Sequence, residues 1–350
     1  MFSVAFVPSV STLCSMNTEA ELDELLTRPR QVLVDFIRTI RSPLVILGAG
    51  GKMGPTLAAL ARRAAEAAKH PLRVIAVSRF SDKHAKTALE KSGVETCEAD
   101  LLQRESYNRL PDAENIIYLV GLKFGTAQNP SLTWAVNTLV PAYAVERYGN
   151  ARMIALSTGN VYPLVPVKSG GATEEHPLTP IGEYANAAVA RERVFEYCAD
   201  KHRTSLALLR LNYAVELRYG VLVDIARRVW AGETIDLANG YFNCIWQGDA
   251  NECILRSLGI EPGAWNLTGP DILRVRSVAE QFGKLFSREV RFINNEADTA
   301  LLNNPAKICK RLGPPPTSLQ TMIEWIAHWV TSGGRNLGKP THYEVRDGTY

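Results

Sequence analysis

Residues 44–56, LVILGAGGKMGPT, constrain the fold more than any other stretch of this chain. Leu44 to Leu47 read as a buried strand, glycines follow at 48, 50, 51 and 54, and Thr56 to Ala68 read as an alanine- and leucine-rich helix. Strand, glycine turn and helix in that order suit a phosphate cradle. Without Cβ atoms a pyrophosphate can reach the backbone, and the unpaired amides of the helix start can hold it. A nucleoside-triphosphate loop does not fit, because Lys52 is followed by Met53 instead of Ser or Thr, and residue 46 is Ile. The spacing G-x-G-x-x-G fails at Met53. G-x-x-G-x-x-G fits through Gly48, Gly51 and Gly54, with Gly50, Lys52 and Met53 completing the candidate phosphate-binding set.

The rest of the chain is read from this anchor. Val74 to Val77, Ile116 to Val120, Met153 to Leu156 and Leu206 to Leu211 are further apolar runs, with helical periodicity over Leu132 to Tyr148 and Tyr184 to Ala199. Strands alternating with helices predict an α/β fold, a doubly wound parallel Rossmann sheet. Beyond residue 213 the rhythm loosens, and helices over Leu222 to Ala231, Val278 to Phe286 and Leu319 to Val330 predict a smaller mixed C-terminal lobe for substrate. Upstream, Thr18 and Glu21 form a capping box, and leucines at 22, 25 and 26 and apolar residues at 32, 33, 36 and 37 predict two helices. The expected division is a helical extension over 1–42 and a dinucleotide-binding domain over 43–212, with a return near 243–260. A lobe over 213–335 and an extended tail over 336–350 complete it.

Composition narrows the field. The chain has 350 residues, with 39 Lys plus Arg against 36 Asp plus Glu, which gives no basic stripe for nucleic acid and no case for a membrane surface. Six cysteines without a C-x-x-C pair predict reduced thiols, with no disulfide framework and no metal site. No run of apolar residues is long enough to span a bilayer, the first residues lack a basic region, and either Met1 or Met16 serves as initiator. The expected compartment is the cytoplasm.

From residue 44 to about 270 the chain resembles the extended short-chain dehydrogenase/reductases of the UDP-galactose 4-epimerase type, the NAD(P)-dependent epimerase/dehydratase family. The glycine spacing carries the resemblance first, and other landmarks recur in order. Ser78 and Arg79 end the second strand where NAD-binding members place a carboxylate. A hydroxyl and a guanidinium suit a 2′-phosphate, so NADP is favoured over NAD. Asp100 and Leu101 match the pair beside the adenine. Val120, Gly121, Leu122 and Lys123 match the loop after the fourth strand, and Asn137 falls on the helix that follows. Ser157, Thr158, Asn160 and Tyr162 resemble the Ser-Ser-x-x-Val-Tyr-Gly segment.

The resemblance gives Thr158 the catalytic hydroxyl that polarises the reacting oxygen and Tyr184 the proton-transferring phenol, with Asn160 and Asn212 toward substrate. It departs from the family at residue 188, where an alanine stands in place of the lysine four residues after the tyrosine. Arg191 and Lys123 are the two replacements on offer. The resemblance therefore implies an NADP-dependent oxidoreductase or epimerase/dehydratase acting on a sugar, nucleotide sugar or similar polyhydroxylated compound, paired as a homodimer through a four-helix interface. The alternative is a dinucleotide-binding regulator on the same scaffold that has lost its chemistry, which Ala188 favours.

Overall fold

The computed structural model describes residues 16–122 and 128–348. Seven strands, β1 Leu44–Leu47, β2 Val74–Ser78, β3 Glu95–Glu98, β4 Asn115–Tyr118, β5 Arg152–Thr158, β6 Ser205–Leu211 and β7 Gly263–Leu267, make one sheet. All pairings are parallel, and the order runs β7-β6-β5-β4-β1-β2-β3. The chain winds outward in one direction from β1 and in the other from β4. The carboxyl ends of these two strands therefore diverge into a crevice, the usual ligand position in open parallel sheets.

Alternation along β1 sets the two faces. Leu44 and Ile46 pack under α2 (Gln31–Ile37), α3 (Gly54–Ala67) and, further along the chain, α8 (Gln247–Arg256). Val45 and Leu47 pack on the other face with α5 (Pro130–Arg147) and α6 (Glu183–His202). Both faces are apolar, so β1 reads as a continuous run without alternation. A separate core joins α7 (Val221–Ala231), α9 (Val275–Phe286) and α11 (Leu319–Thr331) into the second lobe.

The predicted capping box is present. Thr18 opens α1 (Glu19–Thr27), its hydroxyl accepting the Glu21 amide while the Glu21 carboxylate accepts the Thr18 amide. Leu22 and Leu26 of α1 enter the core of the second lobe, whereas Leu33, Val34 and Ile37 of α2 enter the core beneath the sheet. Ion pairs fix α1 on both sides, Arg63 of α3 with Glu24 and Arg218 with Glu19 and Asp23. Asp249 lies in the first turn of α8 and accepts the Thr317 amide at 3.0 Å; Trp246 is the N-cap.

One strand lacked a sequence expectation of its own. β3 (ETCE) is an outer strand with both glutamates exposed, so it carries no apolar run; Glu95 pairs with Arg73 and Glu98 with Lys83 and Lys86 of α4 (Lys83–Lys91). At the opposite margin α10 (Ala306–Leu312) lies beside β7, and Lys307 donates to the Ala264 carbonyl at 2.8 Å. Residues 335–348 form neither helix nor strand, yet they are firmly laid across the second lobe. The Thr341 amide and hydroxyl both donate to Asp224 Oδ2, at 2.8 and 2.6 Å, and Tyr343 is buried.

Candidate active site

Three glycines of the turn are required by the chain's own packing. Gly48 has φ +83°, and a Cβ there would lie 2.9 Å from the Val120 side chain and amide. A Cβ on Gly50 would meet Ser78 Oγ at 2.5 Å, and one on Gly54 would overlap the Ala49 carbonyl where α3 starts beneath β1. Gly51 is different. A Cβ there would meet only the Gly48 carbonyl, at an ordinary 3.4 Å, and would stand on the wall of a cavity. Its side-chain hydrogen keeps that wall open to a ligand. The Met53 amide, at the start of α3, makes no hydrogen bond within the described residues. The turn fits a dinucleotide pyrophosphate on these two observations.

The cavity has a volume of about 240 Å³ and lies over the crevice between β1, β4 and β5, closed on its far side by the second lobe. It brings together ten of the residues expected from sequence: Gly48, Gly51, Lys52, Met53, Gly54, Ser157, Thr158, Asn160, Tyr184 and Asn212. Leu119, Leu156 and Leu211 supply its apolar floor, and Tyr213, Ala214, Tyr219, Gly220 and Thr341 its lobe side.

The remaining expected residues lie off this wall. Gly50 and Ser78 face each other behind the turn, and Arg79 is exposed, with no ion pair among the described residues. Asp100 accepts the Leu102 amide at 3.1 Å, while Leu101 is buried in the core on the β2 side. Val120 touches Gly48, Gly121 is exposed, Leu122 is half-buried and Asn137 is fully buried. Lys123 lies outside the described residues.

Thr158 ends β5 and holds Asn160 in a tight loop; its hydroxyl donates to Asn160 Oδ1 at 3.0 Å and accepts the Asn160 amide at 3.2 Å. Tyr184 enters from the first turn of α6, 7% exposed, onto the same cavity. One turn further on, Ala188 does not reach the cavity. It is fully buried in an apolar cluster with Val161, Tyr162, Val165, Ala172, Ala300 and Leu302. Nor does Arg191 line the cavity. Its guanidinium is held beneath the β4 end by Asn137 Oδ1 at 3.0 Å and the Val120 carbonyl at 3.4 Å.

The cation on the cavity wall, among the described residues, is Lys52, which sequence reasoning had placed only as part of the phosphate turn. Its ammonium donates to the Ala214 carbonyl at 3.1 Å and stands 3.7 Å from the centre of the Tyr219 ring. Burial pushes the Tyr219 phenol well above its ordinary pKa, with Asp224 and Tyr184 adding to the rise.

A buried polar network supports the wall from behind. The Ser157 hydroxyl donates to Glu192, which also accepts Arg210 Nε at 3.1 Å and Nη2 at 2.7 Å. Arg210 Nη1 donates to the Tyr162 hydroxyl at 2.6 Å, and that hydroxyl donates to Asn266 Oδ1 at 2.9 Å. Burial pushes the Tyr162 phenol up to about 12, against the pull of Arg210. On the lobe side Asn212 donates to Asn243, whose amide reaches the Asn303 carbonyl. Glu192 and Arg210 were not singled out from the sequence. Their signal was an arginine inside the apolar run LALLRL, which a buried strand admits only with a partner.

This sheet order with its glycine turn at the switch point is the Rossmann-type architecture of dinucleotide-dependent enzymes. The assignment is narrower than that. Residues 44–216 match the NAD dependent epimerase/dehydratase family, and through that span the chain belongs to this family of enzymes.

Solved structures share the fold over most of the chain. UDP-glucose 4-epimerase from Thermotoga maritima, solved with UDP-glucose, aligns with a TM-score of 0.67 at 17% identity, covering 83% of this chain and 99% of that one. dTDP-glucose 4,6-dehydratase from Bacillus anthracis, in complex with NAD, aligns with a TM-score of 0.69 at 14% identity, covering 83% and 97%. The UDP-Glc/GlcNAc 4-epimerase from Campylobacter jejuni gives 0.67 at 19% identity, covering 84% and 99%. At these identities the likeness is one of fold. No curated protein matches this chain in sequence.

Proposed function

We propose that the protein is an NADP-dependent enzyme that catalyses hydride transfer on a hydroxylated substrate of the sugar type. The observation that carries this reading is the single cavity shared by the glycine turn, the Thr158 hydroxyl and the Tyr184 phenol. When bound, a nicotinamide cofactor supplies or accepts the hydride. The chain's own part is binding, orientation and proton movement. Gly51 and the Met53 amide receive the pyrophosphate, Tyr184 gives or takes the proton of the reacting hydroxyl, and Thr158 polarises the same oxygen. Asn160 and Asn212 offer amides to further hydroxyls of the substrate.

The preference for NADP rests on Ser78 and Arg79. No carboxylate ends β2, and the exposed guanidinium of Arg79 is available to a 2′-phosphate. Parallel calorimetric titrations of NADP and NAD test this with wild type and Arg79→Ala. The expected result is NADP bound at least about tenfold more tightly than NAD, about 1.4 kcal/mol, and the difference lost in the variant. Tight NAD binding indifferent to Arg79 would instead favour an epimerase that retains its cofactor. A second reading, a regulator that binds dinucleotide without turning over, draws on the apolar seal around Ala188; it predicts the same binding with no oxidation or reduction of the nicotinamide.

We also propose a homodimer through α5 and α6, which pack along each other and expose Trp134, Leu139 and Tyr197. Light scattering giving twice the chain mass tests it. Among the described residues no helix is long and apolar enough to cross a membrane. The free thiols at 97, 198, 244, 253 and 309 favour a reducing compartment, the cytoplasm.

A further inference from the structure

We infer that the substrate is a compact, uncharged hydroxy- or oxo-compound, about the size of one sugar ring and without an attached nucleoside diphosphate, because residues 335–348 fill the lobe side of the cleft. The inference rests on the reading of Thr158 and Tyr184 as the reacting end.

Space comes first. On the lobe side the main cavity stops at Asn160, Tyr213 and Thr341. Past Asn160 and Tyr213, among the described residues, lies an adjoining space of about 20 Å³, bounded by Val345, Arg346 and Gly348 of the crossing segment. A void of this kind needs roughly 10–15 Å³ to admit one water, so the space beyond the cavity takes about one water and no nucleoside.

The crossing segment is built in. Thr341 gives two hydrogen bonds to one Asp224 oxygen, and Arg346 donates to the Thr299 carbonyl and hydroxyl, each at 2.7 Å. Gly348 and Gly182 both have positive φ, +77° and +90°, and their backbones abut so closely that a Cβ on either would overlap the other residue. Displacing the segment means losing all of these contacts together.

Charge points the same way. A diphosphate recruits arginine or lysine, yet among the described residues the substrate side of the cavity presents Asn160, Asn212, Tyr213 and Thr341, all uncharged. Lys52 comes from the glycine turn and its ammonium is engaged by the Ala214 carbonyl and the Tyr219 ring, while Arg346, the nearest cation in the adjoining space, already serves Thr299 and Asn239. The wall is made of amides and hydroxyls, which suit the hydroxyls of a neutral compound.

The test is calorimetric titration of UDP and of UDP-glucose into protein saturated with its preferred dinucleotide, in wild type, in Gly348→Ala and in Arg346→Ala. Gly348→Ala drives a Cβ into the Ile181 carbonyl and lifts the segment, while Arg346→Ala releases it by loss of contacts. The expected result is no binding to wild type tighter than about 1 mM, and at least a tenfold gain for UDP-glucose in one or both variants. Binding of either probe to wild type at micromolar concentration would overturn the inference while leaving the dinucleotide reading standing. Exclusion from wild type and from both folded variants alike would overturn the role given to residues 335–348. Failure of wild type to bind any dinucleotide would bring down the reading beneath it as well, and the first titration alone reveals that case.

Discussion

Glu192→Gln is the substitution through which the buried network is best tested. Glu192 is fully buried, and Arg210, its partner, is 4% exposed; the pair closes at 2.7 Å. The substitution keeps the shape but leaves a guanidinium facing a neutral amide in a place water does not reach. Breaking a buried pair from one side costs about 3–5 kcal/mol. Unfolding entropy runs at about 2.1 cal/mol/K per residue, so 350 residues give about 0.7 kcal/mol/K and a fall in Tm of about 4–7 °C. Removing both charges, as Glu192→Leu with Arg210→Met, lifts the buried-charge penalty. It still strands the Ser157 hydroxyl and takes the Arg210 donor from the Tyr162 hydroxyl, which keeps Asn266, at about 1 kcal/mol each, so the double variant should fall by only about 3 °C. Scanning calorimetry on the wild type, the single variant and the double variant measures both. A fall under about 1 °C for Glu192→Gln, or a double variant less stable than the single one, would refute the claim that an ion pair holds the Ser157 side of the cavity.

The other predictions concern single positions. Gly51→Ala should melt within about 2 °C of wild type and lose at least tenfold in dinucleotide affinity by calorimetry, whereas Gly54→Ala should lose about 1–3 kcal/mol of stability through its clash with the Ala49 carbonyl; equal effects on both would contradict the separate roles. Ala188→Lys, which restores the family's lysine in sequence, should destabilise the fold by several kcal/mol in urea titration and add no activity, since it places a charge in an apolar nest. Asp224 is held above the ordinary carboxylate range by burial, partly offset by its hydrogen bonds from Thr341. A raised folded pKa means that the folded state keeps a proton the unfolded chain has released. The stability this group contributes is therefore full below the ordinary carboxylate pKa and lost as pH rises through the raised one. Asp224→Asn should flatten that slope in urea midpoints taken at successive pH values; parallel curves for the two proteins would count against it.

What could be read from the sequence was whatever depends on neighbours along the chain. The capping box at Thr18 and Glu21 needs only four residues, and β1 with its glycine turn only thirteen, so local pattern sufficed for both. β3 escaped notice because an outer strand with one charged edge shows no apolar run. The cavity residues that went unrecognised were those whose place is decided by distant contacts. Thr341 sits in a stretch without periodicity and is brought to the wall by Asp224, more than a hundred residues away in sequence. Tyr219 had a faint signal, a glycine after it that opens α7 with φ +131°, but nothing local told of Lys52 lying on its ring. The orientation of residue 188 was likewise beyond spacing alone. Periodicity put it one turn from Tyr184, and the structure buries it in a cluster with Ala300 and Leu302, a hundred residues later, and not on the cavity wall.

The margins of the sheet bear on how copies of this protein meet. At one border β3 offers only four residues, with Glu95 and Glu98 tied to Arg73, Lys83 and Lys86; at the other, α10 and the Lys307 ammonium occupy the flank of β7. Unsatisfied strand borders are where chains zip together into growing aggregates, and short, charged or covered borders discourage it. Both routes to ribbon-like growth are guarded here, so crowding such as overexpression should leave the sheet unextended, and any ordered assembly has to be made by helix meeting helix.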